Sequence, residues 1–217
     1  DTANHMNMFG PPGTGKTTVA RIMAGFLYQN GYIKRNEVIE TSGSFFTTGD
    51  AATKAEAICQ YAYGGVLFID EAYAMAESTE GQEAIAALIK EMEDSKDKFI
   101  LILAGYENEM KKLLNSNPGF LSRIKEHFYF ENYSIDELAM IFEAMAKSAG
   151  YQVSKEALDK TIVILNELMH DRNFGNARTC RNVLDKSISR HALNVKKGIA
   201  EGDFIIGVDD IAYNNSI

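Results

Sequence analysis

Met6-Asn7-Met8-Phe9-Gly10-Pro11-Pro12-Gly13-Thr14-Gly15-Lys16-Thr17-Thr18-Val19-Ala20 decides the fold. A short apolar stretch able to form a strand runs into Gly-x-x-x-x-Gly-Lys-Thr, and Thr18 to Ala24 then read as a helix. That is the strand–loop–helix setting a phosphate-binding loop requires. Its glycines let backbone N–H groups turn inward around a polyphosphate, and the helix N-terminus adds its positive end. Lys16 is the residue to reach the β- and γ-phosphates, and the Thr17 hydroxyl the one to ligate Mg²⁺. The nucleotide-contacting set is Pro12, Gly13, Thr14, Gly15, Lys16, Thr17 and Thr18. The alternative is a Gly/Pro-rich surface turn, which leaves the flanking strand and helix unexplained. The pattern implies a nucleoside triphosphate ligand.

A second constellation lies downstream. Gly64-Gly65 introduces Val66-Leu67-Phe68-Ile69, a continuous apolar run of the kind found in buried parallel strands, and it ends in Asp70-Glu71. An acidic residue at the C-terminal end of such a strand faces the crevice where open α/β sheets bind ligands. Asp70 is the candidate Mg²⁺ holder and Glu71 the candidate general base for an attacking water. A lone Asp-Glu pair can also be a solvated turn, but its separation from the Gly-rich loop favours the catalytic reading. No Asn-Lys-x-Asp occurs to specify guanine.

Composition sets limits. The 217 residues are 46% hydrophobic and 24% charged, enough for one large domain and a small one. Net charge is 22 − 30 = −8, which offers no basic field to nucleic acid, although a translocase can hide a basic channel in an acidic shell. Cys59 and Cys180 lack metal-ligand spacing and read as reduced thiols. No apolar run approaches membrane-spanning length and no signal-peptide pattern precedes the loop, so the expected location is cytoplasmic.

Strands are expected at 5–9, 37–41, 66–70, 99–104 and 127–130, with helices at 15–29, 51–63, 79–95 and 107–115 between them. Thr79-x-x-Gln82 reads as a capping box for the third helix. Such alternation means a mostly parallel five-stranded sheet covered on both faces. From Ser134 only helices are convincing, at 134–149, 154–170 and 176–197, with caps at Ser134-x-x-Glu137 and Ser154 and a stop at Gly150. A short extended stretch at 203–208 and a last helical turn from Val208 complete the pattern. The domains are therefore 1–131, an α/β nucleotide-binding core, and 132–217, a small all-α domain.

Together these features resemble an AAA+ ATPase: a P-loop NTPase core followed by a helical lid. His5-Met6-x-Met8-Phe9-Gly10-x-Pro12-Gly13-Thr14-Gly15-Lys16-Thr17, Gly64-Gly65-Val66-Leu67-Phe68-Ile69-Asp70-Glu71-Ala72-Tyr73, Ile102-Leu103-Ala104-Gly105-Tyr106, Asn117-Pro118-Gly119-Phe120-Leu121-Ser122-Arg123 and Asn176-Ala177-Arg178 sharpen the match. They are similar to the family of stage V sporulation protein K and the red-type Rubisco activase CbbX, across about residues 5–200.

The resemblance implies rings, usually hexamers, with ATP or ADP and Mg²⁺ held between neighbouring subunits. It implies that Arg123 is an arginine finger reaching the γ-phosphate next door; the alternative is a surface Arg paired with Glu126. It makes Arg178 the sensor-2 arginine of the lid, with Arg181 as its rival one turn on. Sensor 1, commonly Asn or Thr, is replaced by Ala104-Gly105-Tyr106, leaving Tyr106 or Asn108 for that role. The expected pore segment, Gly43-Ser44-Phe45-Phe46-Thr47-Thr48-Gly49, lacks the aromatic-aliphatic-Gly triplet of relatives. Phe45 or Phe46 is either a substitute gripping residue or part of a buried pair anchoring a loop. Relatives also carry helices ahead of the first strand, so the chain reads as an excised domain in which assembly and nucleotide affinity are impaired.

The leading functional reading is a Mg²⁺-dependent ATPase that remodels an unknown protein client. The alternative is a nucleotide-gated assembly or scaffold module with little hydrolysis. A nucleic-acid motor is disfavoured by the acidic balance.

Overall fold

The apolar runs at Val66–Asp70 and Ile100–Gly105 form adjacent strands in the middle of a sheet, and their neighbours follow from polarity. The computed structural model describes residues 5–211 and 213. Five parallel strands, β1 (His5–Phe9), β2 (Val38–Ser42), β3 (Val66–Asp70), β4 (Ile100–Gly105) and β5 (Ile124–Tyr129), lie in the order β2-β3-β4-β1-β5. The central strands are almost wholly buried, while β2 is half-exposed and β5 is exposed after Ile124. Successive side chains enter opposite cores. Leu67, Ile69, Leu101 and Leu103 join Phe46, Ile85, Leu88 and Phe120 in one cluster. Val66, Phe68, Ile100 and Ile102 join Met6, Met8, Ala20, Ala24 and Leu27 in the other. Burial on both faces is why these strands read as unbroken apolar runs.

The helices of this unit are α1 (Lys16–Gln29), α2 (Ala51–Tyr61), α3 (Thr79–Asp94), α4 (Glu107–Ser116) and α5 (Pro118–Arg123). The cap of α3 sits one residue earlier than expected. Ser78 Oγ accepts the Gly81 N–H at 3.0 Å, and Gln82 Nε2 donates instead to the Ala76 carbonyl. Helix α5 was not expected; Pro118 starts it and Phe120 anchors it in the core. The fifth strand begins at Ile124 rather than 127.

His5 makes β1 acid-sensitive. Its Nδ1 accepts the Leu101 N–H at 2.9 Å, so the ring proton sits on Nε2, which is buried without a hydrogen-bond partner. Burial, reinforced by the Arg123 guanidinium, lowers this imidazole to about 4. The unfolded chain takes up the proton near pH 6.5 and the folded chain does not. The neutral imidazole's contribution is therefore complete above about pH 6.5 and is lost as pH falls toward 4, to a total of about 3 kcal/mol. Urea unfolding of wild type and His5→Gln at pH 7 and pH 4.5 checks this. The wild type is expected to lose more stability between the two, and equal losses would contradict the assignment.

The second unit comprises Pro12–Thr14 and the chain from Asn132, whereas the first takes the residues up to Pro11 and Gly15–Glu131. In the second unit α6 (Ile135–Ser148), α7 (Lys155–Leu168) and α8 (Ala177–Lys196) enclose Leu138, Phe142, Leu165, Val183 and Leu184. Ser134 and Glu137 close the expected capping box, and Ser154 caps α7 by accepting the Ala157 N–H. Two short parallel strands, β6 (Gln152–Val153) and β7 (Ile205–Ile206), pair across the helices. The helical turn expected at Val208 is instead a turn closed by Asp210 N–H on the Gly207 carbonyl. Asp210 is buried and also accepts from Gly207 N–H and Asn194 Nδ2, with its Oδ2 2.8 Å from His191 Nδ1. Cys59 and Cys180 are free and buried, and burial pushes their thiols up to about 12 and about 11. Neither is a ready nucleophile. Among the described residues no helix is long and apolar enough to cross a membrane.

Candidate functional site

The loop after β1 is shaped by backbone that other residues resist. Gly13 has φ +69° and Gly15 has φ +91°. A Cβ on Gly13 would lie 1.9 Å from the Gly175 carbonyl oxygen, so no larger residue fits. Gly15 is the N-cap of α1, and that helix starts with no side-chain cap and no acidic residue in its first turn. Lys16 folds back over the loop, donating to the Gly10 and Pro11 carbonyls at 2.9 and 2.7 Å, and is buried.

The ends of three strands meet at one edge of the sheet. Phe9 pairs with Gly105, Ile69 with Leu103, and Gly10 N–H donates to the Gly105 carbonyl. The loop therefore leaves β1 two strands from Asp70, a lateral separation of roughly 10 Å. Asp70 Oδ1 accepts the Glu71 N–H at 3.0 Å. Glu71 itself is exposed and left-handed, at φ 48° and ψ 42°, one of two non-glycine residues with positive φ among those described. Its backbone is confined by Gly43, where a Cβ would meet the Glu71 carbonyl oxygen at 2.3 Å. Tyr106 opens α4 directly after β4, is part-exposed and lies 6.1 Å from the Tyr73 ring, and Asn108 is exposed two residues on. Burial, then the Glu71 carboxylate, raise the Tyr73 phenol to about 12.

Arg123 lies elsewhere. It ends α5 immediately before Ile124, which pairs with His5 at the opposite end of β1 from the loop. Its guanidinium bonds Glu93, the Gly119 carbonyl and Ser122 Oγ. Glu93, rather than Glu126, is thus its carboxylate partner. Arg178 and Arg181 are both exposed near the start of α8. Phe45 and Phe46 pack edge to face but differ in burial: Phe46 is fully buried, while Phe45 is 45% exposed with Lys54 Nζ 5.0 Å over its ring. The expectation of a buried pair therefore holds for Phe46 and not for Phe45.

Asn176 enters the sequence pattern only as the first residue of Asn176-Ala177-Arg178. It is buried, with φ 50° and ψ −121°, and its amide bonds Pro12, Asn132 and Tyr133. The signal was faint, because those contacts lie 43 to 164 positions away.

The residues at the sheet edge fit a nucleoside triphosphate with Mg²⁺. Positive-φ glycines and an uncapped helix start suit an anion. Among the described residues no group of three or more His, Cys, Asp or Glu could hold a metal alone. Mg²⁺ takes one or two protein oxygens and completes its shell with phosphate and water, and Thr17 and Asp70 are the candidates for them.

Residues 6–132 match the family described as ATPase family associated with various cellular activities (AAA), and residues 134–215 match the AAA lid domain. The chain is 41% identical over 197 residues to the chloroplastic ribulose bisphosphate carboxylase/oxygenase activase of Cyanidioschyzon merolae, covering 87% of this chain and 67% of that protein. It is 40% identical to protein CbbX of Cereibacter sphaeroides, covering 87% and 63%. Among solved structures it resembles a RuvB mutant of Thermotoga maritima (TM-score 0.67, 23% identity, 95% and 60% covered). It also resembles the FIGL-1 AAA domain bound to ADP (TM-score 0.65, 17% identity, 96% and 69% covered). At these identities the last two speak for the fold alone.

Proposed function

Because the chain belongs to the AAA family of ATPases, we propose that it hydrolyses ATP with Mg²⁺ as one subunit of a ring that remodels a protein client. Lys16 and the Pro12–Thr18 loop hold the phosphates, and Thr17 and Asp70 hold Mg²⁺, which supplies charge neutralisation when bound. Glu71 orients and deprotonates the attacking water, Arg178 senses the γ-phosphate, and Tyr106 or Asn108 takes the sensor-1 place. Residues 1–131 act as the core and 132–217 as the lid. Phe45, the exposed member of its pair, is the aromatic available to a polypeptide.

One observation carries the ring. Arg123 stands at the N-terminal end of β5 beside His5, whereas the phosphate loop leaves the C-terminal end of β1. Those ends are about 13 Å apart at the usual strand rise, farther than an arginine side chain extends. Arg123 cannot serve its own chain's nucleotide and is available to a neighbour's.

ATPase rate against protein concentration tests this reading. Specific activity is expected to climb with concentration, because the site is complete only between copies. A rate that is substantial and constant down to monomer concentrations would overturn the ring. Negligible hydrolysis at every concentration, with ADP still bound, would replace the motor by a nucleotide-gated assembly module.

A further inference from the structure

The apex of the phosphate loop is pinned through its carbonyls. Pro12 O accepts from Asn176 Nδ2 at 3.2 Å, Gly13 O from Ala177 N–H at 3.0 Å, and Thr14 O from the Tyr133 hydroxyl at 2.9 Å. All six residues belong to the second unit. In a trans peptide the carbonyl of one residue and the N–H of the next point in opposite directions, and no peptide among the described residues is cis. Holding three successive carbonyls on one side therefore turns the Gly13, Thr14 and Gly15 N–H groups to the other. Those are the amides a phosphate would need.

Asn176 is the organiser of this arrangement. Its Oδ1 accepts the Tyr133 N–H at 3.0 Å, while its Nδ2 donates to Pro12 O and to Asn132 Oδ1 at 2.8 Å. The amide orientation is unambiguous, since a backbone N–H can only donate and a carbonyl can only accept. One side chain thus ties Pro12 to Asn132 and to Tyr133, the residue that holds Thr14. Its own backbone places Ala177 N–H on Gly13.

Its conformation is the second sign. At φ 50° and ψ −121° Asn176 occupies a region suited to glycine, and the only other non-glycine residue with positive φ among those described is Glu71. Asparagine stands where glycine would be less strained, which points to a use for the side chain beyond forming the turn. We propose that Asn176 is a positioning residue for nucleotide binding: through Pro12, Asn132 and Tyr133 it orients the loop amides toward the phosphates. This rests on the proposed nucleotide site.

Asn176→Gly tests it, since glycine deletes the amide and relieves the backbone together. ADP affinity and thermal melting are measured for wild type, Asn176→Gly and Asn176→Asp. Asp can still accept from Tyr133 N–H but cannot donate to Pro12 O. Asn176→Gly is expected to bind ADP about tenfold more weakly, corresponding to roughly one buried amide's bonds, while melting no lower than wild type. Asn176→Asp is expected to lose affinity as well. Unchanged ADP affinity in Asn176→Gly would overturn the inference. So would a melting temperature that falls along with affinity, or a variant that fails to fold, because Asn176 would then be structural. Failure of wild type itself to bind ADP would sink the nucleotide site, and with it this proposal, leaving the hydrogen-bond arrangement without that function.

Discussion

Glu71→Gln lowers ATP turnover by at least about a hundredfold, the low end of what a positioned general base contributes, while leaving nucleotide affinity within about twofold. Glutamine keeps the size and most of the hydrogen-bonding capacity of the side chain and removes the charge that draws a proton from water. The backbone is fixed independently of that charge. Asp70 Oδ1 holds the Glu71 N–H, and Gly43 packs against its carbonyl oxygen too closely for a Cβ. Left-handed backbone at a glutamate costs roughly 1–3 kcal/mol and persists only where surroundings over-determine it. The amide variant inherits the same strain, so stability should hardly change. The measurement is steady-state hydrolysis alongside ADP and ATP binding at a concentration where wild type is assembled. A variant that hydrolyses within a few-fold of wild type would remove Glu71 from the chemistry. One that loses binding as strongly as turnover would make it a structural residue of the loop between β3 and α3.

The sheet's centre was legible because burial on both faces leaves an uninterrupted apolar record in Val66–Ile69 and Ile100–Ala104. Its edge was less so. In β5, Lys125 and Glu126 are exposed and break the apolar pattern, so the strand's first residues did not read as a strand. Helix α5 was hidden by Pro118-Gly119, which reads as a turn, although Pro suits a first helical position. Ser78 and Thr79 are both capping residues, and only the backbone geometry chose between them. The candidate phosphate and metal residues were legible because they are local: one loop and one strand end. The opposite placement of Arg123 required the parallel register of β1 and β5. The role of Asn176 required contacts across most of the chain's length, for which no spacing rule exists.

Arg123→Ala is expected to lower turnover about a thousandfold, roughly 4 kcal/mol of transition-state stabilisation, in line with arginine fingers supplied in trans. Within the chain the guanidinium is paired with Glu93, whose side chain is largely exposed. An exposed ion pair contributes about 0–1 kcal/mol, far less than a guanidinium on a transferring phosphoryl group, so Glu93 would not hold Arg123 back once a neighbour's nucleotide is within reach. A rate loss alone does not separate a finger from a damaged interface; mixing does. Each Arg123→Ala subunit keeps its own Glu71, and each Glu71→Gln subunit keeps its Arg123. In an equal mixture about a quarter of head-to-tail junctions join an intact base to an intact finger, so two nearly inactive proteins regain measurable hydrolysis together. Recovery places the two residues on different chains of one site. A mixture as inactive as its parts, in samples that still form mixed rings, would place Arg123 outside the shared site and return it to its pairing with Glu93.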